Sequence, residues 1–133
     1  MSASATDPTS TVRARVKQLR RRKGYTAAQL GERLAELGVP WNRSVVANFE
    51  SGRRPAVSVH ELLALALVLD VAPVNLLVPL ADEPYQLAPD RTEGADAVRA
   101  WVRGEQPLPG APPESVRTFY AEVPLADLQR GPR

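Results

Sequence analysis

The 133-residue sequence contains no cysteine, one histidine and few aromatic residues, and each shortage excludes a class of structure or chemistry. Without cysteine, the chain can form neither a disulfide nor a thiolate metal site, and it has no cysteine nucleophile. The single histidine, His60, cannot build a metal site by itself. Aromatic residues make up only 5% of the chain and hydrophobic residues 44%, so the core must be aliphatic. Such a core favours helices packed on helices.

Long apolar runs are also missing. No run reaches the roughly 18 residues that a membrane-spanning helix requires. The N-terminal sequence MSASATDPTS lacks the basic start and apolar centre of a secretion signal. We therefore expect a soluble, cytoplasmic protein. Nucleophile motifs, metal-ligand spacings and glycine-rich phosphate loops are absent from the sequence too, so an enzyme is the least expected class.

The net charge of +2 hides an uneven distribution along the chain. Residues 1–60 hold eleven Arg or Lys against four Asp or Glu, whereas residues 61–133 hold six against eleven. Seven of the positive charges lie between Arg13 and Lys23. A polyanionic partner is one explanation, because neutralised phosphates release counterions. A solvated basic helix face is the other, and charge alone does not decide between them.

Apolar residues at helical spacing, separated by capping signals, predict five helices over residues 11–79. Thr26 with Gln29 and Ser58 with Glu61 have the spacing of capping boxes. The expected helices begin near residue 10 or 11 and end at Gly24, follow Thr26 to about Leu37, follow Asn42 to Gly52, follow Ser58 through ELLALALVLD, and run from Pro73 through Leu77.

The third helix, in the stretch NRSVVANFESGRR, has two different faces. Val46 and Phe49 form a narrow apolar stripe, while the residues pointing away from it are small, polar or basic. Arginine can bind guanine with two hydrogen bonds and asparagine can do the same with adenine, so this face suits the major groove. The outward residues are Arg43, Ser44, Ala47 and Asn48, and Arg53 and Arg54 follow in position for phosphates.

Beyond Pro79 the composition changes, since eight of the thirteen prolines lie between residues 79 and 124. Two or three short amphipathic helices are expected there, over residues 95–103, 114–120 and 124–130. Helices this short are marginal alone, so they must pack on the first domain, on each other or on a second subunit, or remain disordered. We therefore expect a flexible tail (1–10), a helical domain (11–79) and an extension (80–133) for dimerisation or partner binding.

The order of these elements resembles the Cro/C1-type, or XRE-type, helix-turn-helix domain, and regulators of this type from actinobacteria in particular. The resemblance implies an all-α fold, namely a five-helix lambda-repressor-like DNA-binding domain followed by a proline-rich C-terminal extension of short helices. The matching segments are LRRRKGYT (19–26), QLGERL (29–34), NRSVVANFESGRRP (42–55) and SVHELLALALVLDVAPVNLL (58–77).

The resemblance also implies roles for single residues. The third helix would be the recognition helix, with Arg43, Ser44 and Asn48 reading base edges and Val45 near a thymine methyl group. Glu50 would pair with Arg20 and tie the first helix to the recognition helix. Phosphate contacts would set the register and base contacts the specificity. The implied phosphate-binding residues are Thr26, Arg21, Arg22, Lys23, Asn42, Arg53 and Arg54.

The chain departs from the family pattern at several positions. Ala27 stands where a phosphate-binding glutamine is usual, and several additional residues lie between Leu34 and Asn42. The second helix is therefore longer or the turn wider than usual. Asp70 stands where glycine usually closes the fourth helix. Trp41, just before the third helix, is expected to contact that helix rather than to stack on a base.

We therefore expect a sequence-specific regulator of transcription that binds double-stranded DNA as a homodimer, a repressor or autoregulator associated with the nucleoid. No cofactor or metal is expected. The expected dimer surface is the fifth helix with residues 80–133. An antitoxin or adaptor whose C-terminal segment binds a protein partner is the alternative, and a small-molecule effector there is left open. RNA or single-strand binding is less expected, because the basic half offers few aromatic side chains for stacking.

Overall fold

The computed structural model describes residues 5–124, which form seven helices and one two-stranded sheet. The expectation of an all-α chain is therefore wrong, because residues 84–94 form a β-hairpin. Of the helix expected over residues 124–130, all but the first residue lies outside the described part of the chain. The elements are α1 (Pro8–Arg22), α2 (Ala27–Glu36), α3 (Arg43–Ser51), α4 (Val59–Leu69), α5 (Val74–Leu77), β1 (Pro84–Ala88), β2 (Arg91–Gly94), α6 (Ala95–Val102) and α7 (Pro113–Ala121).

Helices α1 to α5 enclose one core that is aliphatic except for Trp41 and Phe49. The rings of these two residues lie 5.5 Å apart at a tilt of 58°. Leu30 and Leu34 of α2 are fully buried, whereas Leu37, which follows the last residue of α2, is half exposed. The fully buried aliphatic side chains of this core are Val12, Val16, Leu30, Leu34, Val46, Leu65, Leu69 and Leu76.

The helix starts follow the capping signals, with one exception. Thr26, Asn42 and Ser58 cap α2, α3 and α4 as predicted. The exception is α1, which starts before residue 10 because Asp7 caps it, accepting a hydrogen bond from the Ser10 amide at 2.7 Å. Pro8 suits the first helical turn, where no backbone donor is needed. The structure thus differs from the expected flexible tail at residues 6–10.

A second, smaller core packs the hairpin and α6 against α5, at the end of the helical domain formed by α1 to α5. The buried Tyr85 ring lies at its centre, and its hydroxyl donates to the Leu77 carbonyl oxygen at 2.7 Å. Thr6 pairs with β1, accepting from the Gln86 amide at 2.8 Å. Both Val74 and Leu77 of α5 pack against this core. Since Leu76 is buried in the first core, α5 packs against both cores, and the expected dimer surface on α5 with residues 80–133 stays a prediction.

Candidate nucleic-acid interface

The recognition-helix candidate α3 is fixed at both ends by its own sequence. At its start, the Asn42 side-chain oxygen accepts from the Val45 amide at 3.0 Å, which satisfies a donor that the helix leaves open. At its end, Gly52 has φ 87°, a left-handed conformation that glycine adopts without steric cost. The Gly52 amide donates back to the Phe49 carbonyl oxygen at 3.2 Å. The nine-residue helix therefore has defined limits before any ligand binds.

Helix α2 approaches the start of α3 very closely at Gly31. A Cβ atom placed on Gly31 would lie 2.7 Å from the Asn42 Cα atom, so no larger residue fits without moving the backbone. The additional residues of the chain lie in the connection, since α2 ends at Glu36 and α3 begins at Arg43. Sequence analysis missed the role of Gly31. A glycine between the buried residues of a helix is the signal that could have revealed it.

The outward face of α3 presents the predicted base-reading residues. Arg43, Ser44 and Asn48 are all exposed. Within residues 5–124, none of their side chains makes a hydrogen bond or ion pair, so all three can bind a ligand. Val45 is different, because its side chain is partly buried and packs against the first core. Of the four predicted base-reading residues, the structure therefore brings three together on one free face.

The predicted phosphate-binding residues fall into free and engaged groups. Arg21, Arg22 and Arg53 are exposed, and their side chains make no hydrogen bond or ion pair within residues 5–124. Lys23 is paired with the exposed Asp70. Thr26 accepts from the Gln29 amide at 3.1 Å, which leaves its hydroxyl proton available for donation. Asn42, which caps α3, is exposed as well.

The structure brings Arg20 and Glu50 together as a two-pronged ion pair. The guanidinium Nε and Nη2 atoms donate to the two carboxylate oxygens at 2.7 and 2.9 Å. Both side chains are largely buried, with exposed fractions of 14% and 8%. Arg20 also donates to the Tyr25 carbonyl oxygen at 2.8 Å. The hydrogen bonds to Glu50 raise the pKa of Arg20. The pair ties the end of α1 to the end of α3.

Arg54, predicted to bind phosphate, is instead engaged within the protein. Its guanidinium donates to both oxygens of Glu61 at 3.1 and 2.6 Å and lies 4.8 Å above the Trp41 ring. The Trp41 indole donates to the same carboxylate at 2.7 Å. Burial by itself would raise the pKa of this carboxyl group, but hydrogen bonds from Arg54, Ser58 and Trp41 lower it to about 2. This cluster joins the start of α4 to the turn before α3.

Two arginines that sequence analysis left undecided also bind backbone within the protein. Arg13 donates to the Phe49 carbonyl oxygen at 2.8 Å, and its guanidinium lies 5.6 Å from the centre of the Phe49 ring. Arg15 donates to the Asn75 carbonyl oxygen at 3.0 Å. The spacing of Arg13 and Arg15 along α1 is that of solvent-exposed charges. The sequence therefore does not distinguish them from the arginines that remain free. Much of the positive charge of α1 therefore holds α3 and α5 in place.

Comparison with known families agrees with this geometry. A family model described as a helix-turn-helix domain matches residues 12–77. Residues 12–77 form a helix-turn-helix domain. Such a domain indicates binding to DNA and a role in transcriptional regulation. The helix-turn-helix domain comprises all of α2 to α5 and most of α1, whereas the hairpin, α6 and α7 lie outside the match.

Searches among curated proteins and among solved structures gave no match to this chain. Among residues 5–124, no helix combines the length and the apolar character needed to cross a membrane. The same residues hold no cluster of three or more His, Asp or Glu side chains suited to a metal ion.

Proposed function

We propose that the protein is a sequence-specific regulator of transcription of the Cro/C1 type, which reads duplex DNA with α3 and acts by binding rather than by catalysis. The observation that carries the proposal is the free face formed by Arg43, Ser44 and Asn48. These side chains offer hydrogen bonds that match guanine and adenine in the major groove.

The surroundings of this face suit the DNA backbone. Arg53 lies just beyond one end of α3, and Thr26 at the start of α2 combines a free hydroxyl proton with the exposed amides of a helix N-terminus. Arg21 and Arg22 add positive charge at the end of α1. Contacts from these residues would fix the position of the protein on the duplex, so that α3 can discriminate between bases.

Binding as a homodimer follows from the small size of the reading surface. One recognition helix contacts only a few base pairs, and dimers of helix-turn-helix proteins read two half-sites about 34 Å apart. Repression or autoregulation requires only that the bound dimer covers a promoter, which a chain of this size can do. DNA binding and repression would both take place at the nucleoid in the cytoplasm.

The experiment that tests the proposal is fluorescence anisotropy against pools of random and genomic upstream duplexes across a salt series. The wild-type protein should bind a subset of duplexes far more tightly than the rest, with a steep salt dependence. Arg43→Ala should weaken binding to that subset by about 1–3 kcal/mol and leave weak binding to all sequences. Arg117→Ala, which removes another exposed arginine, on α7, is the matched control. Equal binding of all sequences by the wild-type protein would contradict the proposal.

An adaptor or antitoxin function is the second candidate, because α7 has no buried residue within the described part of the chain. Its apolar side chains Val116 and Phe119 are only partly buried, and Tyr120 is 44% exposed. This face offers apolar side chains for a contact with a protein partner. The candidate predicts that Phe119→Glu abolishes capture of one defined protein while DNA binding persists. Unchanged capture by this variant would contradict it.

A further inference from the structure

A cleft of about 300 Å³ lies between α1 and the segment that leads from α5 to β1. Hydrogen bonds within the chain hold both of its sides. Arg15 of α1 donates to the Asn75 carbonyl oxygen at 3.0 Å, and the Thr6 amide donates to the Pro84 carbonyl oxygen at 3.4 Å. A cleft of this size is at the lower limit of small-molecule sites, which are usually formed before the ligand binds.

The Arg15 side chain brings a positive charge without a counter-ion to this cleft. Its Nε atom donates to the Asn75 carbonyl oxygen and its Nη1 atom to the Gln18 side-chain oxygen, and both acceptors are neutral. Within residues 5–124, no carboxylate pairs with Arg15, and its Nη2 atom has no partner. Burial, and then the charge of Arg22, lower the pKa of Arg15. A partly buried guanidinium without a carboxylate partner is well suited to bind an anionic group.

Glu83 brings the opposite charge to the same cleft. It is exposed, and its carboxylate accepts no hydrogen bond and forms no ion pair within the described residues. Glu83 precedes Pro84, which the Thr6 amide binds ahead of α1, whereas Arg15 lies about two turns into that helix. The two charges therefore line different parts of the cleft and do not pair with each other. A simple anion would meet the carboxylate there, so a ligand that carries both charges fits best.

The remaining walls of the cleft suit the body of a small polar molecule. Ala14, Pro79 and Leu80 supply apolar contacts, while Ser10 offers a hydroxyl group and Gln18 a side-chain amide. A few polar groups set in apolar walls are typical of sites for small molecules. None of the residues predicted to read bases or bind phosphates lines the cleft.

We propose that the cleft between α1 and residues 79–83 binds a small zwitterion, an amino acid or a dipeptide, through its free carboxylate and its free ammonium group. Arg15 binds the carboxylate and Glu83 binds the ammonium group. This binding site goes beyond the proposed function and does not depend on it, because the cleft and the outward face of α3 share no residue.

Isothermal titration calorimetry of the full chain tests the site, with the standard amino acids, glycylglycine and glycylleucine as separate probes. At least one probe should bind in a one-to-one ratio. Tighter binding of a single amino acid would identify a free amino acid as the ligand class, and tighter binding of either glycyl compound would identify a dipeptide. No binding by any probe at millimolar concentration would overturn the proposal.

Glu83→Gln tests the ammonium end of the ligand. This variant should weaken binding of the best probe about tenfold to a hundredfold, as expected for the loss of a hydrogen bond to a charged group. The N-acetyl derivative of that probe lacks the ammonium charge, so it should bind wild type and Glu83→Gln equally. Asp90→Asn, which changes an exposed carboxylate in the hairpin turn, is the matched control and should leave the affinity unchanged.

Arg15→Gln tests the carboxylate end in the same way. It should weaken binding of the best probe, whereas the methyl ester of that probe, which lacks the carboxylate charge, should bind wild type and variant equally. Because Arg15 also binds Asn75, circular dichroism melting will show whether this variant is folded. Glu83→Gln provides the decisive result in either case. Unchanged affinity in Glu83→Gln, or an equal loss for the probe and its N-acetyl derivative, would overturn the proposal.

Discussion

The two sides of α3 use polar side chains in opposite ways. On the inner side and at the helix end, Arg13 binds the Phe49 carbonyl oxygen and Arg20 binds Glu50, both at 2.7 to 2.9 Å. On the outer side, Arg43 and Asn48 make no side-chain hydrogen bond within the described residues. The difference teaches that polar side chains around α3 divide into those held within the fold and those free to bind a ligand, and that exposure and hydrogen bonding separate the two groups.

The largest loss of unfolding free energy should come from replacing Trp41, which packs against Phe49 in the first core. Trp41→Ala leaves a cavity beside Phe49 and removes a partner from both Arg54 and Glu61, so we expect a loss of about 3–5 kcal/mol in unfolding free energy. Chemical denaturation will measure it. Trp101→Ala is the comparison, because Trp101 is 38% exposed on α6 and belongs to neither buried core, so its loss should cost clearly less stability. Equal losses in both variants would contradict the division of roles.

Breaking the buried ion pair should have the next largest effect. Glu50→Ala leaves the charge of Arg20 largely buried without its carboxylate partner, which costs about 3 kcal/mol or more. We expect a lower melting temperature and weaker binding to all duplexes, because the end of α3 loses its anchor. Glu36→Ala, which removes an exposed carboxylate from α2, should change neither property. A stable Glu50→Ala variant would show that the pair has no supporting role.

The decrease in unfolding free energy at acid pH should depend on the hydrogen bonds around Glu61. The folded-state pKa of this carboxyl group is about 2 and its ordinary value is 4.5. The unfolded chain therefore takes up the proton first as the pH falls, and stability is lost between about pH 4.5 and pH 2. The loss from this group should be about 2–3 kcal/mol. Denaturation of wild type and Glu61→Gln at several pH values will measure it. An identical pH dependence in both proteins would rule out this contribution.

The smallest effect should be a gain in stability at the end of α4. Asp70 has φ 56°, a left-handed conformation that costs energy for residues other than glycine. Asp70→Gly should relieve this strain and stabilise the fold by less than about 1 kcal/mol, since glycine also makes the unfolded chain more flexible. Thermal unfolding will detect the change. Asp70→Ala, which also loses the contact with Lys23 but keeps a Cβ atom, should be less stable than Asp70→Gly.

Local signals predicted most of the helix-turn-helix domain from sequence. The caps at Thr26, Asn42 and Ser58 and the apolar stripes act over a few residues, so they can be recognised in sequence. The hairpin was missed for the opposite reason. Its strands are four and five residues long, β1 begins with Pro84, and the burial of Tyr85 depends on α5 and α6. Such pairing is decided by distant contacts rather than by local propensity.

The candidate site, too, could be predicted from sequence only where local spacing decides the structure. The free face of α3 follows from helical spacing, so Arg43, Ser44 and Asn48 were predicted correctly to be exposed. The partners of Arg13 and Arg54 could not be predicted, because long arginine side chains reach backbone or carboxylates far along the chain. Arg13 and the Phe49 carbonyl are 36 residues apart. An arginine next to DNA and an arginine that supports the fold therefore look alike in sequence.

The neighbouring residues Arg53 and Arg54 test most directly whether the arginines divide into DNA-binding and fold-supporting residues. Replacing each by alanine should affect a different property. The measurement is the salt dependence of DNA binding, with melting temperature, for Arg53→Ala and Arg54→Ala. Arg53→Ala should reduce the salt slope by about 1 and leave the melting temperature unchanged. Arg54→Ala should lower the melting temperature and leave the slope as in the wild type. A reduced slope with unchanged stability in both variants would contradict the account.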